Sequence, residues 1–299
     1  MRVLISGASG LIGREVSGLL LDGNHEVHSL VRDGAKFAAG DVVWNPSKGL
    51  KAEQVAGFDV IIHLAGRPVA TLWTAQAKQE IRNSRVEGTA NLAFAVAESF
   101  RAEGKPRALI SSSAIGYYGS RGDEELVEES EPGFGFLAEV CRDWEAAAQP
   151  AAMAGVRVAH MRTSLVLSAK GGALAKMLPA FRLGVGGKLG SGRQWWSWVS
   201  LHDAARAFVF AVEDERMHGA VNLAAPDALT NAEFTRILGR VLHRPTLLSV
   251  PAFALKIATG EMAGQMLLAS QRVVPRRLLE AGFHFEDEEL EPLLRKLVA

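Results

Sequence analysis

Three glycines near the amino terminus carry the most specific chemistry in the sequence. Gly7, Gly10 and Gly13 follow the apolar run Arg2-Val3-Leu4-Ile5-Ser6 and open a helical stretch, Leu11 to Leu20, with Ser9 between the first two. Glycine lets a backbone turn sharply and lie against a pyrophosphate, while the third glycine lets the helix pack close to the strand. The helix then aims its first amides at the phosphates. About twenty residues further on, Leu30-Val31-Arg32-Asp33 ends a second apolar run. An acid there suits a ribose hydroxyl, and an arginine suits a ribose 2′-phosphate. Arg32 favours the phosphorylated dinucleotide, and Asp33 beside it is the alternative partner for the hydroxyl. His63-Leu64-Ala65-Gly66 offers small residues against which an adenosine or ribose can lie, with His63 read as a core histidine. The other histidines show no paired spacing of the metal-binding kind, so no metal site is expected.

These residues need a scaffold of buried parallel strands and covering helices. Apolar runs at 3–5, 27–31, 60–64, 108–110 and 156–161 are separated by segments long enough for helices. This alternation predicts an α/β protein with a Rossmann-type doubly wound parallel sheet. Helices are expected over about 74–103 and 136–154, with Pro150 ending or kinking the second. From about residue 168 the texture changes. A glycine-rich stretch, 184–192, leads into Trp195-Trp196-Ser197-Trp198 and looks like a loop over a site. A helix over 231–242 and a strand over 246–250 follow. The division expected is a cofactor-binding domain at 1–168, with later segments able to return to it, and a smaller α+β substrate lobe at 169–299. The tryptophans, with Trp73, offer rings for a flat or sugar substrate or for anchoring the lobe. Asp203 suits a helix N-terminus.

With 299 residues, 48% hydrophobic and 22% charged, the chain can bury a sizeable core. Thirty-three basic and thirty-three acidic residues cancel, which argues against a nucleic-acid partner. The single cysteine, Cys141, can form no internal disulfide. No apolar run reaches the roughly 18–20 residues of a membrane span, so no membrane partner and a cytoplasmic location are expected.

The sequence resembles the extended short-chain dehydrogenase/reductase superfamily and, within it, the atypical epimerase family proteins. The resemblance rests on Ser6 to Gly13, His63 to Gly66, Ser84-Arg85-Val86 and Ser113-Ala114-Ile115-Gly116-Tyr117-Tyr118-Gly119. It continues through Cys141-Arg142-Asp143-Trp144-Glu145, Gly190 to Trp196 and Pro275 to Phe283. It implies bound NADP(H), a small-molecule substrate and a homodimer as a common assembly. The cofactor contacts it implies are Gly7, Ser9, Gly10, Leu11, Ile12, Gly13, Arg32, Leu64, Ala65, Gly66, Glu80, Arg85 and Leu165. Typical members place a serine after the fifth strand, a tyrosine about 24 residues on and a lysine four later. The lysine lowers the tyrosine pKa so that the phenol exchanges a proton as hydride moves. Counting from Ser113 gives Leu137 and Cys141, and Glu145 fixes the same register, so that pair is absent.

Ser113 and Tyr117 are the remaining catalytic candidates, Tyr117 standing four residues before Arg121. Cys141 is read as core packing. The expected function is an NADP(H)-dependent oxidoreductase acting on a small carbonyl, alcohol or nucleotide-sugar-like substrate. The alternative is a non-catalytic NADP(H) sensor or scaffold.

Overall fold

Each of the five apolar runs falls in a strand, and all but the second are largely buried. The computed structural model describes residues 1–32, 34 and 38–298. Its first half runs β1 (Arg2–Ser6), α1 (Leu11–Asp22), β2 (Glu26–Arg32), β3 (Val42–Trp44), α2 (Ala52–Val55), β4 (Val60–His63), α3 (Ala75–Glu103), β5 (Ala108–Ala114), a 3₁₀ turn (Ile115–Tyr118), β6 (Glu125–Leu126), α4 (Phe136–Ala146), α5 (Gln149–Met153) and β7 (Arg157–Thr163). The second half runs β8 (Leu165–Leu167), α6 (Gly172–Arg182), β9 (Gly187–Leu189), β10 (Trp195–Trp196), β11 (Trp198–Ser200), α7 (Leu201–Glu213), β12 (Gly219–Leu223), β13 (Leu229–Thr230), α8 (Asn231–Val241), β14 (Leu248–Val250), α9 (Ala252–Thr259), a π turn (Ala263–Leu267), β15 (Arg272–Val273), α10 (Arg276–Glu280) and α11 (Leu290–Val298).

Seven strands form one parallel sheet in the order β12-β7-β5-β4-β1-β2-β3. The order reverses between β1 and β4, which opens a crevice at the carboxyl ends of the strands. Along β1, Val3 and Ile5 join a core shared with α1 and α7, while Leu4 joins the core under α3 and α5 on the other face. Burial on both faces explains why these strands read as unbroken apolar runs. This is the Rossmann-type doubly wound sheet.

Several local expectations are corrected. The three-residue edge strand β3 and strand β12 were not anticipated, and β12 returns to the sheet from beyond residue 168. The helix expected over 136–154 is two helices, because α4 ends at Ala146 and α5 begins at Gln149. Pro150 lies in the first turn of α5, where a missing N–H costs nothing. The glycine-rich stretch is not an open loop: Gly187–Leu189 is a strand paired in parallel with β14. A separate core joins α6, Trp198, α8 and α11. Among the described residues no helix is long and apolar enough to cross a membrane.

Candidate functional site

The crevice is built first by the close approach of two strand ends. Gly7 has φ +74°, and a Cβ there would stand 2.9 Å from Ala65 N. A Cβ on Gly13 would run into Gly7 O and the Ala8 backbone, so α1 can start only with glycine at that point. Gly10 N–H closes the turn onto Gly7 O at 2.9 Å. Helix α1 has no side-chain cap, so its first amides face the crevice without a protein acceptor from that source. Ser9 and Gly10 are exposed there, while Leu11 and Ile12 are half-buried.

Ser6 bolts the two ends together. Its Oγ accepts from Leu64 N–H and Ala65 N–H, both at 3.2 Å, and lies 2.6 Å from His63 Nδ1. With two donors already on the hydroxyl oxygen, the Ser6 proton is the one shared with the ring. Burial, reinforced by Arg85, pushes the His63 pKa down to about 4, so the ring is neutral at pH 7. It is the core histidine expected, although its Nε2 lacks a partner among the described residues.

Arg32 ends β2 and is exposed beside the crevice, while Asp33 lies outside the described residues. On α3, Glu80 and Arg85 do not pair with each other. Glu80 forms an ion pair with Arg67, and Arg85 Nη1 donates to Arg67 O at 2.9 Å and Ile81 O at 3.2 Å. Both therefore grip the segment that leaves β4 through Leu64, Ala65 and Gly66. Burial pushes the Arg85 pKa down, and its guanidinium lies 5.1 Å from the Trp144 ring centroid. Leu165, half-buried, opens β8 beside Trp198.

At the end of β5 lies a polar network that spacing alone did not reveal. Ser113 Oγ donates to Glu145 Oε1 at 2.7 Å. Arg162 holds the same carboxylate through Nε to Oε1 at 2.8 Å and Nη2 to Oε2 at 2.9 Å. Arg162 Nη1 reaches Tyr118 OH at 2.9 Å, and Tyr118 donates to Asn222 Oδ1 at 2.7 Å. Asn222 N–H and Arg277 N–H then donate to Glu128 Oε1, each at 3.1 Å. Burial would lower the Arg162 pKa, but the Glu145 carboxylate outweighs it and raises it. Burial pushes Tyr118 up to about 12 and also raises Glu128, whose Oε2 has no partner among the described residues. One partial signal for this network stood in the sequence: Arg162 follows directly on an apolar run expected to form a central strand, and a buried arginine demands an acid.

Tyr117 is half-buried in the 3₁₀ turn, and the cation beside it is Arg162, 3.5 Å from its ring centroid. Arg121 turns away to Glu124. A Cβ on Gly116 would stand 3.4 Å from Leu137 Cβ and 3.7 Å from Cys141 Sγ, so the turn rests on the two positions where the tyrosine and lysine are missing. Burial, then Glu145, pushes the Cys141 thiol up to about 12, which fits packing and not nucleophilic chemistry. Trp196 packs on Phe234, and the fully buried Trp198 donates to Asp227 O at 2.9 Å. Trp198 anchors the lobe and offers no stacking face, while Trp196, packed on Phe234, is half-buried. Trp73 and Trp195 remain half-exposed. Asp203 lies in the first turn of α7, whose N-cap is Ser200, and its buried carboxylate accepts from the Glu286 and Asp287 amides and from Arg206, a structural role.

A cavity of about 80 Å³ touches Leu137, Gly116 and Gln265 and is too small for a substrate. A larger one of about 340 Å³, lined by His218 and Arg277, opens where β12 begins. That is the wrong end of the sheet for a ligand of this fold.

A glycine turn and uncapped helix at a topological switch point define a dinucleotide-fold protein. More particularly, the chain belongs to the NAD dependent epimerase/dehydratase family, whose model matches residues 3–224, and a domain of unknown function matches residues 250–297. The chain is 42% identical over 285 residues, 95% of its length and 93% of the relative's, to an epimerase family protein of Mycobacterium bovis. The crystal structure of human epimerase family protein SDR39U1 (isoform 2) with NADPH is similar at TM-score 0.88 and 32% identity, covering 99% of both chains. A nucleoside-diphosphate sugar epimerase from Corynebacterium glutamicum is similar at TM-score 0.81 and 37% identity, covering 100% of this chain and 58% of that one.

Proposed function

We propose that the protein is an NADP(H)-dependent oxidoreductase of the extended short-chain type, acting on a small carbonyl, alcohol or nucleotide-sugar-like substrate. The observation that carries this reading is the cradle at Gly7 and Gly13, where no Cβ fits and the α1 amides lack a side-chain cap. In this reading Gly7, Ser9, Gly10, Leu11, Ile12 and Gly13 hold the pyrophosphate. Arg32 meets the 2′-phosphate, and Leu64, Ala65 and Gly66 lie along the adenosine side. Glu80 and Arg85 fix that segment from α3, and Leu165 borders the nicotinamide end. NADP(H), when bound, supplies the hydride acceptor or donor. Ser113 meets the reacting oxygen at the end of β5, with Tyr117 alongside. The 32% identical human relative crystallised with NADPH supports the choice of cofactor.

A second reading, an NADP(H) sensor or scaffold, is favoured by one observation: Leu137 and Cys141 stand where the proton-transfer pair is expected and pack against Gly116. Turnover across a panel of carbonyls with NADPH and alcohols with NADP⁺ separates the two. The oxidoreductase reading expects one or more substrates, with rates falling at least about 100-fold in Ser113→Ala. Tight NADPH binding with zero turnover throughout supports the sensor instead.

A further inference from the structure

The direction of one hydrogen bond fixes what the crevice can receive. A carboxylate only accepts, so the single Ser113 hydrogen is committed to Glu145 Oε1. Arg162 holds that carboxylate in place with two bonds, at 2.8 and 2.9 Å, and its side chain is 4% exposed. Rotating the Ser113 hydrogen toward the crevice would leave Glu145 Oε1 with the Arg162 Nε bond alone and give up a hydrogen bond to a charged acceptor, which costs more than one between neutral groups. Ser113 is only 3% exposed at the carboxyl end of β5, so a ligand that reaches its Oγ meets lone pairs, and lone pairs pair with a donor.

Resting on the oxidoreductase reading above, we infer that the site takes its substrate as an alcohol, with Ser113 as the acceptor of the reacting hydroxyl and Glu145 as the final proton acceptor. The pair replaces the absent tyrosine and lysine. In the step, the carbinol C–H electron pair leaves as hydride to NADP⁺, the oxidant. The hydroxyl proton moves to Ser113 Oγ as the Ser113 proton moves to Glu145 Oε1, and the carbonyl C=O forms. The products are ketone or aldehyde, NADPH and one proton on Glu145, later released to water. Glu145 Oε1 has two lone pairs, so Arg162 Nε keeps its bond while the other pair takes the proton. Arg162 is the positioning residue, fixing the acceptor without touching substrate.

The test is a binding preference and needs no known substrate. Cyclohexanol and cyclohexanone, nearly isosteric, compete for the full-length protein saturated with NADP⁺, followed by saturation-transfer NMR. The expected result is alcohol over ketone by about fivefold, the weight of one neutral hydrogen bond. Ser113→Ala should bring the ratio to about one. Glu145→Gln, whose amide donates to Ser113 Oγ and frees its hydrogen, should move the preference toward the ketone. Equal binding, a ketone preference in the unaltered protein, failure of both probes to bind, or an unchanged ratio in Ser113→Ala overturns the inference. Failure of NADP⁺ itself to bind overturns instead the reading on which it rests.

Discussion

At Gly13 a single methyl group has nowhere to go, because its position is filled by Gly7 O and the Ala8 backbone. Gly13→Ala should therefore destabilise the protein by about 1–3 kcal/mol through overpacking and weaken dinucleotide binding with it. Calorimetric melting checks the first effect, and an unchanged Tm would mean that the turn opens freely. Glu128 offers a second test through pH. Burial raises its folded pKa above that of an ordinary glutamate, so the folded state binds the proton more tightly than the unfolded state. Stability from that group is complete below the unfolded pKa and is lost as pH climbs through the folded one. Glu128→Gln removes the titration, so its Tm should gain on that of the unaltered protein as pH rises from the ordinary carboxyl range through the folded pKa. Parallel Tm profiles would show that Glu128 stays charged without cost.

Strand β7 and helix α4 are joined by Arg162 and Glu145, whose side chains are 4% and 12% exposed. Removing one partner leaves a buried charge alone. Arg162→Met should cost about 3–5 kcal/mol, and adding Glu145→Leu should restore much of it. Chemical denaturation of the two variants measures this, and additive losses would show that the residues do not act as a pair. The same elements show what the sequence could reveal. Strands buried on both faces announce themselves as apolar runs, so β1, β4, β5 and β7 were legible, as were the partly buried β2, through its run at 27–31, and the glycine turn between β1 and α1. Strand β3, three residues at the sheet edge, carries too short a pattern to be seen. Strand β12, Gly219-Ala220-Val221-Asn222-Leu223, hides behind Asn222, a polar residue inside an apolar run because it serves Tyr118 across the sheet. The break between α4 and α5 was masked by alanines that suit a continuous helix. The Ser113 to Glu128 network is assembled from five separate chain segments, and no local spacing encodes it.

Across the whole molecule, the switch point between β1 and β4 brings the glycine turn, Arg32 and the β5 end to the carboxyl edge of one sheet. The last strand of that sheet, β12, is delivered only after the chain has passed through α6, β9 and β11. The lobe and the sheet are thereby tied together, and Gln265 of the π turn accepts the Leu137 amide at 2.9 Å across them. Charge of either sign is balanced overall, and in the proposed reading selectivity for a phosphorylated cofactor rests on single residues such as Arg32. Arg32→Ala should lower NADPH affinity by about tenfold or more while sparing NADH. The most direct measurement is a side-by-side titration of the unaltered protein with NADPH and NADH, followed by tryptophan-to-nicotinamide energy transfer. The account predicts saturable binding of both with clear preference for NADPH. Binding of neither would contradict it, reducing the glycine turn to a piece of architecture.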